Sequence, residues 1–378
     1  MFSIPLVLLE AFEAGADCAI SVSGGKDSQA LLTAVVAWWR AQRYSGRLFA
    51  IFADLGRAEW QQTRPFLAHL CQSLQVELIV VHRAAGDLLD KFEERRATLE
   101  DSAPFWPSSA ARYCTSDLKR SPIDQYLRSS QLVVSAEGIR AKESRARAQK
   151  PSVSLRQGIS GKQYRESASP EDAWLLYRQE RQEEYDAYHQ LTLFADLDPV
   201  SAQPSQHGPR LAFTWYPILG WSREQVWQAC GTTQEELDER RILYQEGVTN
   251  QNASMREQAL AGWPAHPAYV MGANRLSCSL CILGDVPTLL AGARAQPEYY
   301  RSLCWLEIQS GYSFQPQRWL CDLLPELLTE EMRMLLEQHP RRQQWLVLLA
   351  ERAQRKLQRM QAKKTPGKSR HVLPVIHV

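Results

Sequence analysis

The sequence predicts an α/β protein built on a doubly wound, mainly parallel sheet, with a helical C-terminal extension. Three observations support this fold class. Short apolar runs, typical of buried strands, alternate with segments of helical spacing; they cover residues 18–20, 48–54, 76–81 and 132–136. A glycine-rich turn joins the first run to the first helix, and polar or glycine residues follow the other runs. Because ligands of parallel sheets bind at the carboxyl ends of the strands, we expect one crevice there.

Composition sets the broad class of the protein. With 378 residues, 44% of them hydrophobic, the chain can bury a sizeable core. A net charge of +2 conceals an uneven distribution, with basic residues concentrated near the C-terminus. The sequence contains no apolar run of membrane-spanning length, and its start lacks the pattern of a signal peptide. We therefore expect a cytoplasmic protein that is not bound to membranes. In a reducing compartment its eight cysteines are expected to be buried thiols, metal or cluster ligands or redox residues rather than disulfides.

The glycine-rich turn is the most informative stretch. It reads Ser21-Val22-Ser23-Gly24-Gly25-Lys26-Asp27-Ser28 and lies between the first strand and the first helix. Paired glycines allow a phosphate to approach the backbone, while the helix N-terminus and a lysine favour an anion. Serine hydroxyls can donate to the same anion, and Asp27 is a candidate Mg²⁺ contact. The spacing is not that of the Walker A loop, so this is a different phosphate loop.

Ser-Gly-Gly-Lys-Asp-Ser after a strand resembles the pyrophosphate loop of the ATP pyrophosphatases. Members of that group cleave ATP between the α and β phosphates and often leave AMP on a substrate. The resemblance implies an adenine nucleotide alpha hydrolase-like fold, with ATP and Mg²⁺ as ligands. A glycine turn with a capping serine is the plain structural alternative.

Two further strand ends are candidate parts of the same crevice. Asp54 closes the second apolar run, and Gly138 follows the fourth. After Gly138 comes a basic cluster that could clamp a triphosphate or a second anionic substrate; its members are Arg140, Lys142, Arg145 and Arg147. A solvated run of charges is the alternative. The candidate nucleotide-binding residues are therefore Ser21, Ser23, Gly24, Gly25, Lys26, Asp27, Ser28, Asp54, Gly138 and Arg140.

Later motifs narrow the resemblance. Arg-Tyr-Cys-Thr at 112–115 with Leu118-Lys119, and Gly138-Ile139-Arg140 with Glu143-Ser144, resemble the second and third motifs of the phosphoadenosine phosphosulfate (PAPS) reductase branch. Tyr216-Pro217-Ile218 with Val226-Trp227 resembles its later motif, so that the likeness spans roughly residues 15 to 285. PAPS reductases, however, end in a segment with a nucleophilic cysteine, and residues 371–378 contain none. This departure counts against reductase chemistry.

A Cys-x-x-Cys pair, Cys278 and Cys281, is the second informative stretch. Two thiols at this spacing can share one metal or form a redox disulfide. Cys114, with Cys304 or Cys230, could complete a four-cysteine [4Fe–4S] site, and our candidate ligand set is Cys114, Cys278, Cys281 and Cys304. Zinc, a dithiol, or two plain buried thiols are the alternatives. Arg275 before the pair resembles the Arg-x-x-Cys-x-x-Cys segment of the pyrophosphatases of DNA phosphorothioation.

We divide the chain into four regions. Residues 1–149 and 211–240 form the nucleotide-binding α/β domain, and 150–210 an insertion over the crevice, partly mobile. Residues 241–340 hold the Cys-x-x-Cys pair and helices, and 341–378 a basic helix and tail. That tail is rich in cations, which suit contact with DNA, although a solvated tail is the alternative; the cations are Arg352, Arg355, Lys356, Arg359, Lys363, Lys364, Lys368 and Arg370.

These observations favour an ATP pyrophosphatase that adenylates an acceptor so that sulfur can displace AMP. Lys26, Asp27 and Arg140 are the candidate catalytic residues. The resemblance is closest to the DndC/SspD-type proteins of DNA phosphorothioation, a defence modification, and implies a cysteine desulfurase and other modification proteins as partners. One alternative is a reductase of PAPS or adenylyl sulfate, in which a cysteine thiolate attacks sulfur. The other is a nucleotide-binding partner without turnover.

Overall fold

The computed structural model describes Phe2, residues 4–194 and residues 209–364, with side chains left out of the description at 188–194 and 359–364. The chain divides into two compact units. The first comprises Met1–Glu94 and Pro107–Tyr300, and the second comprises Arg95–Trp106 with the chain from Arg301 onward. The four strands that the sequence predicts fall in the first unit.

A six-stranded sheet forms the centre of the first unit. Its strands are β1 (Asp17–Val22), β2 (Leu48–Asp54), β3 (Glu77–His82), β4 (Leu132–Glu137), β5 (Val153–Leu155) and β6 (Leu211–Trp215). The strand order is β3-β2-β1-β4-β6-β5, and only the β5–β6 pair is antiparallel. The predicted mainly parallel sheet is thus confirmed, as are the helices toward the C-terminus.

Helices cover the sheet and continue beyond it. In the first half of the chain they are α1 (Leu6–Glu13), α2 (Lys26–Arg40), α3 (Thr63–Ser73), α4 (Leu88–Leu99), α5 (Tyr113–Thr115), α6 (Ser121–Leu127), α7 (Arg145–Ala148), α8 (Lys162–Arg165) and α9 (Pro170–Phe194). In the second half they are α10 (Arg223–Ala229), α11 (Gln234–Thr249), α12 (Ala253–Leu260), α13 (Val286–Ala295), α14 (Pro297–Ser310), α15 (Glu330–Gln338) and α16 (Pro340–Lys364). A π-helical turn, Ser116–Arg120, links α5 to α6.

The order of the strands creates the crevice that the sequence predicts. The chain runs from β1 outward to β2 and β3, and then returns to β4 on the other side of β1. The loops that follow β1 and β4 therefore leave adjacent strands in opposite directions, which opens a cleft at the carboxyl end of the sheet. Both β1 and β4 are buried on their two faces, because helices cover each side. The glycine-rich turn and Gly138 meet at this cleft.

The described part of residues 150–210 contributes an edge strand and a long helix. β5 extends the sheet beyond β6, and α9 packs against α1 and β6. Trp174 of α9 donates its indole N–H to the Glu10 carboxylate at 2.7 Å. Beside Trp174, α9 lines an open cavity with Asp17 and Leu132, the first residues of β1 and β4. α9 therefore lies at the amino ends of the strands, whereas Val153 pairs with Trp215 at the carboxyl end of β6. An insertion over the crevice stays a prediction, since residues 195–208 lie outside the described residues.

The second unit is organised around a buried carboxylate. Glu307 of α14 is fully buried and accepts three backbone N–H groups, from Phe314 at 2.6 Å, Leu320 at 2.8 Å and Cys321 at 3.0 Å. These bonds fix the turn that follows α14. Burial raises the pKa of Glu307 to about 7, although the N–H groups of Phe314 and Cys321 act to lower it.

The basic C-terminal helix, α16, exposes cations along its described length. Arg352, Arg355 and Lys356 are exposed, and Arg355 pairs with Glu351 at 2.9 Å. The side chains of Arg359, Lys363 and Lys364, and the whole of Lys368 and Arg370, lie outside the described residues, as does the C-terminal segment without cysteine. None of the helices within the described ranges is long and apolar enough to cross a bilayer.

The raised pKa of Glu307 predicts a pH-dependent stability. Between its ordinary value of 4.5 and its folded value of about 7, the folded state binds more protons than the unfolded state. The free energy of unfolding should therefore fall as pH rises through this window, by about 3 kcal/mol from this group. Urea unfolding at pH 5 and pH 7.5, followed by tryptophan fluorescence, measures the effect. Glu307→Gln, which cannot titrate, should show a shallower dependence; an unchanged slope contradicts the assignment.

Candidate functional site

The glycine-rich turn adopts a conformation that only glycine tolerates easily. Gly24 has a φ of +74°, in the left-handed region. A Cβ atom at Gly24 would lie 3.1 Å from Leu276 and 3.2 Å from His266, tighter than most side-chain contacts. Gly25 is the N-cap of α2 and has no side chain to satisfy the first N–H groups of the helix. The turn therefore presents bare backbone at a helix N-terminus.

Serine hydroxyls brace the turn from within. The Ser28 hydroxyl donates to the Gly25 carbonyl at 2.9 Å and accepts the Ser23 backbone N–H at 3.1 Å. The hydroxyls of Ser23 and Ser28 lie 3.4 Å apart. The Ser21 hydroxyl is buried and has no hydrogen-bond partner among the described residues. The structure therefore brings together two of the three predicted serines, Ser23 and Ser28, and these two stabilise the turn.

One carboxylate pairs with two cations at the start of α2. Lys26 Nζ lies 2.9 Å from one oxygen of Asp27, and Arg140 Nε donates to the other oxygen. Both cations are nearly buried, with 8% of Lys26 and 6% of Arg140 exposed. Burial acts to raise the pKa of Asp27, but Lys26 and Arg140 together hold it below its usual range. Asp27 is therefore ionised at neutral pH and suits a hard cation such as Mg²⁺.

The loop after β4 packs directly on this turn. A Cβ atom at Gly138 would lie 2.8 Å from the Asp27 carbonyl oxygen and 3.1 Å from the Ser28 nitrogen. Two residues later, the Arg140 side chain donates to the Asp27 carboxylate. The backbone N–H of Arg140 donates to the Glu143 carboxylate at 3.3 Å. Gly138 therefore allows the backbone of the loop after β4 to pack directly on the backbone at the start of α2.

Asp54, the third strand-end residue, stands at the end of β2. One of its carboxylate oxygens accepts the Gly56 N–H at 2.9 Å, and the other lies 3.9 Å from Arg64. The side chain is partly buried. Its hydrogen bond shapes the turn after β2, which leads directly to Glu59.

Aromatic residues from the later part of the first unit enclose the loop lysine. The Tyr269 hydroxyl accepts the Lys26 backbone N–H at 2.9 Å. The ammonium group of Lys26 lies 5.8 Å from the ring centres of both Trp227 and Tyr269, within cation–π range. Behind the loop, the Cys230 thiol donates to the Lys26 carbonyl at 3.3 Å. Lys26 is thus held from several sides.

Cys114, Cys278 and Cys281 come together although they are far apart in sequence. The thiols of Cys278 and Cys281 are hydrogen-bonded to one another, and Cys114 is close enough for Cys281 to influence its pKa. Lys119 is in range of all three thiols and also of Glu59. We call these five residues the thiol cluster. Its position is fixed by backbone bonds of the Cys-x-x-Cys segment to the turn after β2, from Ser279 to Ala58 at 2.8 Å.

The thiols differ in acidity. The hydrogen bond from Cys278 lowers the pKa of Cys281 to about 6, against burial, which raises it. The same bond, followed by burial, raises the pKa of Cys278. Burial raises the pKa of Cys114, and Cys281 raises it further. Burial also raises the pKa of Glu59 to about 7. One thiolate beside a lysine suits either a soft metal or nucleophilic chemistry.

The two remaining candidate cysteines lie elsewhere. Cys304 is fully buried in the second unit, where its sulfur groups with Glu307 and Cys321, all three ligand atoms lying within 4.8 Å of one another. Cys230 lies behind the phosphate loop, and burial raises its pKa to about 12. The first unit thus gathers three of the four predicted ligands, and Cys304 as the fourth stays a prediction.

Sequence reasoning missed Tyr269, Trp227 and Glu59 as parts of the site. Tyr269 and Glu59 come from segments without a recognisable motif, whereas Trp227 belongs to the Val226-Trp227 motif, which gave no sign of its approach to Lys26. Their contacts with the loop and the thiols arise from tertiary packing, for which the local sequence carries no signal. His266, which is fully buried and lies 3.1 Å from the Thr63 hydroxyl, was missed for the same reason.

Fold and site define a doubly wound α/β protein with a glycine loop and a helix N-terminus at the switch point of its sheet. The phosphoadenosine phosphosulfate reductase domain matches residues 17–303, about three quarters of the chain. The chain belongs to this family, which includes sulfur-transfer and adenylating enzymes.

Two solved structures are similar to the chain. One is the phosphoadenylyl-sulfate (PAPS) reductase from Candida auris in its phosphate complex, with 14% identity, a TM-score of 0.33, and coverage of 62% of this chain and 82% of that chain. The other is the U34-tRNA thiolase NcsA from Methanococcus maripaludis with its [4Fe-4S] cluster, with 13% identity, a TM-score of 0.33, and coverage of 72% and 77%. No curated protein matches the chain.

The close packing of Gly138 predicts a specific steric effect. Gly138→Ala should force the loops after β1 and β4 apart and lower the free energy of unfolding by about 1–3 kcal/mol. Gly220→Ala is the matched control, since a Cβ atom there would meet nothing within 4 Å. Its effect should stay within about 0.5 kcal/mol. Thermal unfolding of both variants tests this, and equal losses of stability contradict it.

The hydroxyl of Tyr269 predicts a second difference. Tyr269→Phe leaves the buried Lys26 N–H without its acceptor and should cost about 1–3 kcal/mol. Tyr299→Phe removes another buried hydroxyl, one that has no hydrogen-bond partner within the described part of the chain. That variant should be as stable as the wild type or slightly more stable. Urea unfolding distinguishes the two, and a neutral Tyr269→Phe would show that the bond contributes nothing.

Proposed function

We propose that this protein is an ATP pyrophosphatase that adenylates a phosphodiester of DNA, so that sulfur can replace an oxygen there. The observation that carries the proposal is the arrangement of Lys26, Asp27 and Arg140 around a bare glycine turn at a helix N-terminus. This arrangement combines positive charge with free backbone donors, which suits a pyrophosphate leaving group. It corresponds in role to the DndC/SspD-type proteins of DNA phosphorothioation.

The loop residues divide the work of binding and charge stabilisation. Among the described residues the N–H groups of Gly24 and Gly25 have no hydrogen-bond acceptor and can donate to the β and γ phosphates. Lys26 and Arg140 offset the negative charge that grows on the leaving pyrophosphate. Asp27 would hold Mg²⁺, which adds positive charge at the same phosphates. Positioning by this rigid turn supplies much of the rate enhancement.

The reaction has two displacements. A non-bridging oxygen of the acceptor phosphodiester attacks the α phosphorus of ATP, the bond to the β phosphate breaks, and pyrophosphate leaves. A cysteine desulfurase supplies the sulfur as a persulfide, and a thiol reductant releases it as hydrosulfide, forming a disulfide. The hydrosulfide then attacks the adenylated phosphorus. The bond to AMP breaks, the S–H proton passes to solvent, and a phosphorothioate remains.

The thiol cluster fits an iron–sulfur group better than isolated thiols. Cys114, Cys278 and Cys281 supply three soft ligands, and Lys119 offsets the negative charge of thiolates. A [4Fe–4S] cluster, when bound, would supply a site that carries sulfur to the acceptor. Zinc or a redox dithiol would use the same cysteines. The protein's own contribution is to hold these thiols in the unit that bears the phosphate loop.

The proposal includes the protein's partners and place of action. Exposed cations of α16 suit contact with the DNA backbone. A cysteine desulfurase and other modification proteins of the defence system would act with it, in the cytoplasm.

One observation favours an alternative, a reductase of PAPS or adenylyl sulfate. The hydrogen bond from Cys278 and the nearby charge of Lys119 lower the pKa of Cys281, which favours a thiolate that could attack sulfur. Such a protein would release sulfite from a sulfonucleotide with a thiol reductant and would leave ATP intact.

Removal of the loop lysine tests the proposal. Anaerobically purified protein with ATP and Mg²⁺ should release AMP and pyrophosphate. Lys26→Ala should reduce that rate by about 10²–10³-fold, because a preorganised cation at the leaving group is lost. Lys162→Ala, at an exposed lysine that begins α8, is the matched control and should keep the wild-type rate. Product analysis by anion-exchange chromatography measures both variants.

The same samples separate the alternatives. Persistent cleavage by Lys26→Ala contradicts the assignment of the loop. If the wild type does not cleave ATP but releases sulfite from PAPS or adenylyl sulfate, the protein is the reductase instead. An absorption spectrum of the anaerobic sample, with and without Cys278→Ala, shows whether a cluster is present and whether this thiol holds it.

A further inference from the structure

Three arginines lie on segments that border the glycine-rich turn and the thiols, and the charges of Arg112 and Arg275 are near enough to act on Arg147. Arg112 stands two residues before Cys114, and Arg275 stands three residues before Cys278. Arg147 lies in α7 and forms an ion pair with Glu143, the carboxylate that also lies 3.7 Å from Arg140. The three therefore lie on the segments that carry the thiols and on the loop that carries Arg140. We call Arg112, Arg147 and Arg275 the arginine triad.

The backbone around the triad is firmly placed. Leu276, next to Arg275, packs on the phosphate loop, so that a Cβ atom at Gly25 would lie 3.6 Å from it. Upstream, Arg241 donates to the Tyr269 and Ala273 carbonyls at 2.8 and 2.7 Å and so fixes the approach to Arg275. The contacts of Leu276 and Arg241 therefore position the backbone at Arg275 beside the glycine turn.

The triad is short of negative charge. Burial lowers the pKa of Arg147, and the positive charges of Arg275, Arg140 and Arg112 lower it further, while Asp27 acts in the opposite sense. Arg112 and Arg275 are exposed, and neither forms an ion pair with any residue that the structure describes. Arg147 has the Glu143 carboxylate as its partner, but the other two guanidinium groups have none among the described residues, and an excess of positive charge favours binding of an anion.

We propose that the arginine triad binds a phosphodiester of a nucleic-acid strand, and so places the acceptor between the phosphate loop and the thiol cluster. This inference rests on the proposed function and names the group that holds its acceptor. Two features favour a polymer's phosphate over the phosphates of ATP. Arg112 and Arg275 are open to solvent, unlike Lys26 and Arg140, and in sequence they stand two and three residues before the cysteines Cys114 and Cys278. Guanidinium groups also match the two free oxygens of a phosphodiester.

Binding of an oligonucleotide without ATP tests the inference. The probe is a fluorescein-labelled single strand of twelve deoxynucleotides, followed by anisotropy over a range of salt concentrations. The double variant Arg112→Gln/Arg275→Gln should bind about tenfold more weakly and show a salt slope smaller by about 1 to 2, because two phosphate contacts are lost. Both side chains are exposed, so the variant should fold; thermal unfolding checks this.

Arg43→Gln is the matched control. Arg43 is also exposed, but it follows the far end of α2, about 22 Å of helix away from the loop. Its affinity and salt slope should remain those of the wild type. If the double variant binds the oligonucleotide as the wild type does, or if Arg43→Gln weakens binding equally, the inference is overturned.

Competition identifies the source of the phosphate. Inorganic phosphate should displace the oligonucleotide only at high concentration, as expected when a strand makes several contacts. Adenosine 3′,5′-bisphosphate that competes strongly with the wild type but not with the double variant would assign the triad to a sulfonucleotide and overturn the inference. Because no ATP is present, the outcome is independent of ATP cleavage. Loss of the proposed activity and loss of this subsite can therefore be told apart.

Discussion

The contact between the backbone at Gly138 and the backbone at Asp27 is the constraint on which the site depends. At 2.8 Å from a carbonyl oxygen, no side chain fits at residue 138 without displacing one of two loops. That approach brings Arg140 within reach of the Asp27 carboxylate, so the pairing of cations around α2 follows from it. The switch point of the sheet makes the approach possible, because β1 and β4 are neighbours whose following loops diverge.

A second constraint comes from the segment between Pro264 and Gly284, which contacts several parts of the crevice. It supplies the Tyr269 hydroxyl to the Lys26 N–H, the Leu276 side chain to the glycine turn and the Ser279 amide to the turn after β2. Since the Cys-x-x-Cys pair belongs to the same segment, the thiols are positioned by the contacts that shape the loop. The glycine-rich turn and the thiols therefore depend on one segment of backbone.

The sequence predicts the parts of this arrangement that local chemistry determines. Four strands, the glycine turn and the C-terminal helices follow from periodicity and from residues such as Gly24, whose positive φ requires glycine. β5 could not be predicted, because three residues on a sheet edge leave no periodic pattern. Tyr269 and Glu59 could not be predicted either, because their partners, Lys26 and Lys119, lie about 240 and 60 residues away in sequence. The position of α9 at the amino ends of the strands also depends on packing against α1.

The charge balance of the loop connects binding of an anion to the state of Asp27. Without an anion, one carboxylate compensates two nearly buried cations, Lys26 and Arg140. A phosphate at the glycine turn competes with Asp27 for these cations, and each ion pair that it replaces frees a carboxylate oxygen. A freed, ionised oxygen in a partly buried place is costly unless a cation meets it. Phosphate and a divalent cation should therefore bind to this loop cooperatively, each lowering the cost of the other.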